Sequence, residues 1–234
     1  MPVAVITGAS RGLGRALAAV LAERGWSLVV DGRDPVALDA AAQAFYAVGA
    51  EELAVHPGDV TDPGHRAVLA ESAAALGGSD VLVNNASTLG RSPLPRITDL
   101  DASVLAHVYA TNAVAPLALT RLLLPQLLSG RGRVLNVSSD AAVQPYPGWA
   151  GYGSSKAALE LISAVLAVEH PGLRVYAVDP GDMRTRMHQE AFPGEDISDR
   201  PAPESVVPAL LRLVDGELPS GRYRAADLLV QALA

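Results

Sequence analysis

A short β-branched run, Val3 to Ile6, stops at Thr7-Gly8-Ala9-Ser10-Arg11-Gly12-Leu13-Gly14, and no other stretch of the chain restricts its folding so tightly. Leu13, Leu17, Val20 and Leu21 follow at helical spacing until Gly25 closes the pattern as a C′ residue. Three glycines thus fall between the end of a strand and the first turn of a helix. There they permit a tight turn and let backbone N–H groups and the helix N-terminus come close to a pyrophosphate. Turns of this kind also join strand to helix with nothing bound, so the glycines alone leave the ligand open.

Strand and helix go on alternating along the chain. Leu28 to Val30 reads as the second strand, followed by Asp31-Gly32-Arg33-Asp34-Pro35 and an alanine-rich helix through Val48. Leu53 to Val55 begins a third strand ending in Gly58-Asp59-Val60, and Pro63 suits the first turn of a helix running to about Leu76. Asp80 to Ser87 is a fourth strand whose continuous apolar run fits burial on both faces. A long helix from about Asp101 to Leu128 contains Asn112 and is interrupted by Pro116 and Pro125, either of which can kink it. Arg133 to Val137 is the fifth strand, ending in Ser138-Ser139, and Leu173 to Val178 the sixth, ending in Asp179-Pro180-Gly181. Residues 182–204 break the alternation with a polar loop, the length expected of a substrate loop, in which Met183, Met187 and Phe192 are set. A helix from about Pro203 to Val214 and a strand Gly221 to Arg224 follow. The pattern predicts one α/β domain over residues 1–234, with helices on both faces of a parallel sheet.

Composition excludes several classes. Half the residues are hydrophobic and only 4% aromatic, which suits helices packed closely on a buried sheet. The formal charge is −7 with no block of lysines or arginines, so neither nucleic acid nor an anionic membrane is expected as a partner. Without cysteine there are no disulfides, thiolate metal sites or cysteine nucleophile. The five histidines form no H-x-x-H or H-E-x-x-H pairing, so no metal is expected, and no G-x-S-x-G elbow supports a serine hydrolase. The N-terminus enters a strand with no basic n-region or cleavage pattern, which predicts a cytoplasmic protein. The longest uncharged stretch, Ala102 to Thr120, carries Ser, His, Tyr, Thr, Asn and Pro, pointing to a buried helix rather than a membrane span.

Gly151-Tyr152-Gly153-Ser154-Ser155-Lys156 sets a tyrosine and a lysine four residues apart at the opening of a further helix, on one face about one turn apart. An ammonium beneath a phenol favours phenolate and draws a group that otherwise titrates near ~10 toward neutrality. Such a phenol trades protons at ordinary pH. By itself the pair reads first as two residues on a solvated helix turn, and only its company in the chain favours the chemistry.

Taken together, Thr7-Gly8-x3-Gly12-x-Gly14, Asp59-Val60, Asn84-Asn85-Ala86, Asn112, Ser139, Tyr152-x3-Lys156 and Pro180-Gly181 resemble the short-chain dehydrogenases/reductases, in that family's order and over nearly the whole chain. The resemblance implies a doubly wound Rossmann sheet of strand order 3-2-1-4-5-6-7 and hydride transfer between a nicotinamide cofactor and a small carbonyl or alcohol. It implies that Tyr152 is the general acid in reduction, that Lys156 lowers its pKa and binds the nicotinamide ribose, and that Ser139 polarises the carbonyl, with Ser138 its neighbouring alternative. Asn112 is implied to hold the long helix open around a water that relays protons to Lys156. The cofactor is expected along Gly8, Ser10, Arg11, Gly12, Leu13 and Gly14, at Arg33, Asp59, Val60, Asn85 and Ala86, at Tyr152 and Lys156, and at Pro180, Gly181 and Met183. Two departures stand out. Ser87 replaces the family's usual glycine, where a side chain either crowds the cofactor ribose or points away, and the region after Tyr223 is short for the family's subunit contact.

The family's discriminating acid position at the end of the second strand falls on Gly32, with Arg33 next and Arg11 inside the glycine turn, which favours NADP(H) over NAD(H). Asp31 is the dissenting residue, since its carboxylate would repel a 2′-phosphate if it faced the ribose. Tyr146, Trp149, Met187 and Phe192 are candidates to line a pocket for a compact hydrophobic carbonyl compound, and His188 a candidate to touch it. The expected protein is an NADP(H)-dependent carbonyl reductase. The alternatives are an NAD-dependent alcohol dehydrogenase and a non-catalytic dinucleotide-binding redox sensor. A homodimer or homotetramer through the long helix and the tyrosine-bearing helix is expected by analogy.

Overall fold

The computed structural model describes residues 1–230. Seven strands pair in parallel in the order β3-β2-β1-β4-β5-β6-β7: β1 (Val3–Ile6), β2 (Ser27–Gly32), β3 (Leu53–Pro57), β4 (Val81–Asn84), β5 (Arg133–Val137), β6 (Arg174–Asp179) and β7 (Gly221–Arg224). The inner strands β1, β2 and β4 are buried along their whole length. Side chains alternate across the sheet, so each strand feeds two cores. Ala4 and Ile6 of β1, with Leu28 and Val30 of β2, face one layer, while Val5 and Val29 face the other.

The first layer is made by α1 (Gly12–Glu23), α2 (Pro35–Ala47), α8 (Val207–Asp215) and α9 (Ala225–Val230), which contribute Leu17, Phe45, Leu213 and Leu228. The second is made by α3 (Pro63–Ala75), α5 (Ala115–Ser129) and α6 (Ala150–Glu169), which contribute Leu69, Leu123 and Leu166. Local chemistry sets the helix starts. Asp34 and Asp62 accept backbone N–H groups at the N-caps of α2 and α3, and Pro35 and Pro63 take up the first helical position, where no N–H is needed. Gly25 at φ +75° ends α1, a conformation an L side chain rarely adopts.

The structure departs from the sequence reading in three places. The long helix is not continuous: α4 (Ala102–Tyr109) passes through a π-helical turn, Ala110–Val114, into α5, and Asn112 lies in that turn. Of the two prolines expected to be able to kink it, Pro116 sits in the first turn of α5 and Pro125 lies inside α5. Residues 102–129 are long and apolar enough to cross a membrane by length and composition, but Leu119, Leu123 and Leu127 are buried in the second core. The substrate loop contains a short helix, α7 (Arg186–Ala191), capped by Thr185, and α9 follows β7.

Candidate active site

A cavity of about 620 Å³ opens along the carboxyl ends of the strands, at the point where the strand order reverses beside β1. Its floor at one end is the glycine turn. A Cβ on Gly8 (φ +68°) would lie 2.9 Å from the Ala86 Cα, and one on Gly14 would overlap the Asn85 amide nitrogen. Both glycines therefore let the loop after β4 pack down on the turn. Asn85 then locks it, donating from its amide to Thr7 O at 2.9 Å and Gly8 O at 3.1 Å. Gly12 (φ +55°) faces the cavity instead, with the Thr185 methyl 3.5 Å from where its Cβ would be. Helix α1 has no side-chain cap and no acid in its first turn, so its leading N–H groups remain available to an anion.

At the end of β2, Asp31 lines the cavity with its carboxylate already engaged. Its carboxylate accepts the Gly8 N–H at 2.6 Å and pairs with His65 Nε2 at 3.1 Å, and the residue is 2% exposed. Gly32 is needed next because a Cβ there would lie 3.0 Å from the Ser10 side chain. Arg33 is exposed at the cavity wall and makes no ion pair among the described residues. Arg11 is paired with Asp34, whose carboxyl is held below its usual range by the Ala37 N–H and by that guanidinium. Asp59 and Val60 close this end.

The other end holds the reactive side chains. Gly153 allows α6 to descend on the 3₁₀ turn Asp140–Ala142, since a Cβ there would sit 2.5 Å from Ala141 O. Tyr152 is thereby set beside Ser139. The two adjacent serines both line the cavity but differ in their partners: Ser138 gives its hydroxyl to Glu160, which also takes Arg222 Nε at 2.9 Å. Ser139 lines the cavity, capping the 3₁₀ turn through the Ala141 N–H at 3.1 Å and donating to Asp140 Oδ1 at 3.0 Å. Lys156 is 2% exposed, donates to Val137 O at 2.7 Å, and stands 5.5 Å from the Tyr152 ring centre.

The electrostatic balance differs from the sequence expectation that Lys156 acidifies Tyr152. Burial pushes the Tyr152 phenol up to about 12, and the hydroxyls of Ser139 and Ser87, not Lys156, act in the acidifying direction. Burial likewise pulls Lys156 down to about 7 against the opposing carboxylate of Glu160. Both groups are driven toward neutrality because a low-polarity surrounding penalises the charged form of each.

Asn112 and Ser87 also behave differently from expectation. The Asn112 amide donates to Thr88 O at 2.9 Å and Ser155 Oγ at 3.0 Å and accepts from the Thr88 N–H at 2.9 Å and the Ser87 hydroxyl at 3.1 Å. Its bonds tie the π-turn to the loop after β4 and to α6, whereas Lys156 bonds Val137 O. The Ser87 residue lines the cavity, and its hydroxyl is bonded to Asn112 Oδ1 at 3.1 Å.

Of the substrate candidates, Trp149 and Met187 line the cavity; Tyr146 and Phe192 do not, and instead buttress Trp149 at ring-centre separations of 6.2 and 5.9 Å. Trp149 in turn meets Tyr152 edge-on at 5.6 Å. His188 lines the cavity and rests on Phe192 at 4.9 Å. Gly14 and Asn112 act from behind the wall, while Thr88, Leu89, Asp140, Thr185 and Arg186 line it without having been singled out by sequence. Pro180, Gly181 and Met183 line the cavity. Among the described residues no His, Asp or Glu cluster is fit to hold a metal.

The sequence profile of the family described as short chain dehydrogenase matches residues 2–196, and the chain belongs to that family of oxidoreductases, which act on CH–OH or C=O groups. It is 34% identical over 217 residues to an uncharacterized oxidoreductase of Mycobacterium tuberculosis, covering 91% of this chain and 80% of that protein. It is 34% identical over 204 residues to gluconate 5-dehydrogenase of Gluconobacter oxydans, covering 84% and 77%. A short chain dehydrogenase of Shigella flexneri 2a, crystallised with NADP, superposes with a TM-score of 0.89 at 28% identity, covering 96% of this chain and 97% of that one.

Proposed function

We propose that the protein is an NADP(H)-dependent carbonyl reductase in which Tyr152 is the general acid. The observation that carries this reading is the convergence of Tyr152, Ser139 and Lys156 at one end of a single cavity whose other end presents the open N-terminus of α1 and the unpaired Arg33. The residues fit a dinucleotide. Gly12 leaves the α1 turn open to a pyrophosphate, and Asp31, held by Gly8 and His65, does not oppose a 2′-phosphate that Arg33 would meet in a charge-assisted pair. The nicotinamide cofactor, when bound, supplies the hydride.

The chain's own residues handle the proton and the geometry. Ser139, fixed by the turn it caps, turns its hydrogen from Asp140 Oδ1 to the carbonyl oxygen and increases the charge separation of the C=O bond. Tyr152 gives its proton to that oxygen as the carbon is reduced, so the product is the alcohol and the phenol is left as phenolate. Because burial keeps the phenol protonated, the acid form is present across the working pH range. Lys156, anchored on Val137 O, lies one turn along α6, where a charge on it would favour the phenolate left behind. Trp149, Met187 and Leu89 supply apolar wall around this end, which favours a compact hydrophobic carbonyl compound.

The test is a panel of aldehydes, ketones and quinones with NADPH consumption as readout. Wild type turns over part of the panel, and Tyr152→Phe lowers kcat about 10²- to 10⁴-fold while binding NADPH nearly as tightly. Undiminished turnover in the variant refutes the mechanism. Tight binding of NADPH by wild type with no turnover across the panel favours a dinucleotide sensor instead.

A further inference from the structure

We infer that His65, which lies behind the cavity wall, is a positioning residue for cofactor preference: its ring keeps the Asp31 carboxylate engaged, so that Arg33 and not Asp31 meets the 2′-position of the adenine ribose. The inference rests on the NADP(H) reading above and extends it to a helix that takes no part in the glycine turn.

Asp31 is an acid in the cavity wall at the end of β2. At such a strand end a free carboxylate accepts the ribose 2′-OH and repels a phosphate placed there. Here both of its oxygens are occupied. Oδ1 takes the Gly8 N–H at 2.6 Å, and Oδ2 lies 3.1 Å from His65 Nε2. A carboxylate only accepts, so that Nε2 carries a hydrogen and donates it. Among the described residues His65 is the one side chain bonded to this carboxylate. The nearest rival is His56, opposite Asp31 in the β2–β3 register, and its Nε2 is turned to Ser72 Oγ at 2.8 Å.

The ring is held where it can do this. His65 is the third residue of α3, whose start is fixed by Pro63 and by the Asp62 carboxylate, which accepts the Gly64 N–H at 2.9 Å. It crosses from α3 to β2 over the backbone of Gly58. A Cβ on Gly58 would stand 2.3 Å from His65 Nδ1 and 2.5 Å from its Cε1, so glycine is what gives the ring its place. The two side chains are 8% and 3% exposed, which leaves little water to replace either partner. The glycine turn itself does not hang on this pair alone. The Ala9 N–H bonds Asp31 O at 2.9 Å, and Asn85 holds Thr7 and Gly8 from the other side.

Taking the ring away therefore changes the carboxylate more than the turn. Oδ2 would be left buried without a donor, a costly state that is relieved by rotation into the cavity, toward water and the Arg33 guanidinium two residues on. Both outcomes weaken the hold on NADPH, the first by setting a negative charge against the phosphate and the second by occupying the cation that would meet it. NADH is spared, because its 2′-OH can donate to the same carboxylate.

The experiment measures dissociation constants for NADPH and NADH by fluorescence titration of the whole protein, with no turnover required. The proteins are wild type, His65→Leu, and His65→Leu combined with Asp31→Asn. His65→Leu is expected to weaken NADPH about tenfold and to leave NADH within about twofold, so the preference for NADPH falls about tenfold. Adding Asp31→Asn removes the charge while keeping an oxygen for the Gly8 N–H, and is expected to restore the preference to within about threefold of wild type. If His65→Leu does not fold, Gly58→Ala takes its place, since the added methyl displaces the ring without removing it; the same loss of preference is expected. An unchanged preference in the variant used overturns the role given to His65. So does an equal loss for both cofactors, which assigns the histidine to support of the glycine turn, and so does a lost preference that Asp31→Asn fails to restore. Wild type that binds NADH as tightly as NADPH, or binds neither, overturns the NADP(H) reading and the role of His65 with it.

Discussion

Tyr152 and Lys156 illustrate how far residue type alone can be trusted. Their spacing announces a phenol and an ammonium in partnership, yet in the folded chain burial acts on both in the direction of neutrality. The consequence for stability can be measured. The unfolded chain holds the Lys156 proton up to its ordinary value of 10.5, while the folded chain without cofactor holds it only up to about 7. Between those values the unfolded state binds more protons, so this residue makes stability rise with pH from about 7 toward 10.5. Tyr152 has the opposite sign between 10.0 and about 12, where the folded chain keeps a proton the unfolded chain has lost. In urea melts Lys156→Met is expected to be more stable than wild type at neutral pH, its advantage shrinking by about 1.4 kcal/mol per pH unit on going alkaline. An advantage that does not change with pH contradicts a neutral buried lysine. Arg33 gives a second measurement. Exposed, and in no ion pair among the described residues though its charge reaches Asp59, it is expected to lose about tenfold or more in NADPH affinity on substitution by Ala, with NADH affinity little changed. Equal loss for both cofactors contradicts its assignment to the 2′-phosphate.

Elements were legible where their signal is local. β1 spans Val3–Ile6 as read, because a β-branched run closed by Thr-Gly has no competing structure, and Gly25 and Pro63 mark helix ends by backbone chemistry that needs no tertiary partner. The strand order follows from the alternation and the resemblance together. What was not legible depends on residues far apart in the chain. The π-turn at Ala110–Val114 carries no local mark; the partners of Asn112 there are Thr88 and Ser155, which are 24 and 43 residues away. Helix α7 spans only six residues, and it takes Thr185 as a cap and Met187 packed near Tyr152 to give residues 186–191 a reason to be helical. Ser138 and Ser139 are chemically identical, and Glu160, held by Arg222, decides which of the two hydroxyls is already engaged. The direction of the Ser87 side chain was open for the same reason, since Asn112, its partner, lies 25 residues on.

For the whole molecule, α5 and α6 leave an unusual amount of apolar surface uncovered. Their inner faces fill the second core, but on α5 Leu117 and Leu122 are 47% and 41% exposed, and on α6 Leu161, Val165 and Val168 are 68%, 47% and 82% exposed. Positions 161, 165 and 168 recur at helical spacing, so they form one stripe rather than scattered residues. A stripe of this kind is more than an isolated surface leucine requires, and a second copy related by a two-fold axis would cover both helices with the same patch on each subunit. The net charge of −7 does not oppose this contact locally, because the stripe itself carries no acid between Leu161 and Val168. Wild type is therefore expected to sediment as a dimer or tetramer, and Leu161→Glu with Val165→Glu to shift it toward monomer by placing carboxylates in the contact. Because Tyr152 and Lys156 ride on the same helix, the loss of partner should also lower the melting temperature and make it independent of protein concentration. A wild-type protein that sediments as a monomer at micromolar concentration would remove the assembly from this account and leave the stripe without an occupant.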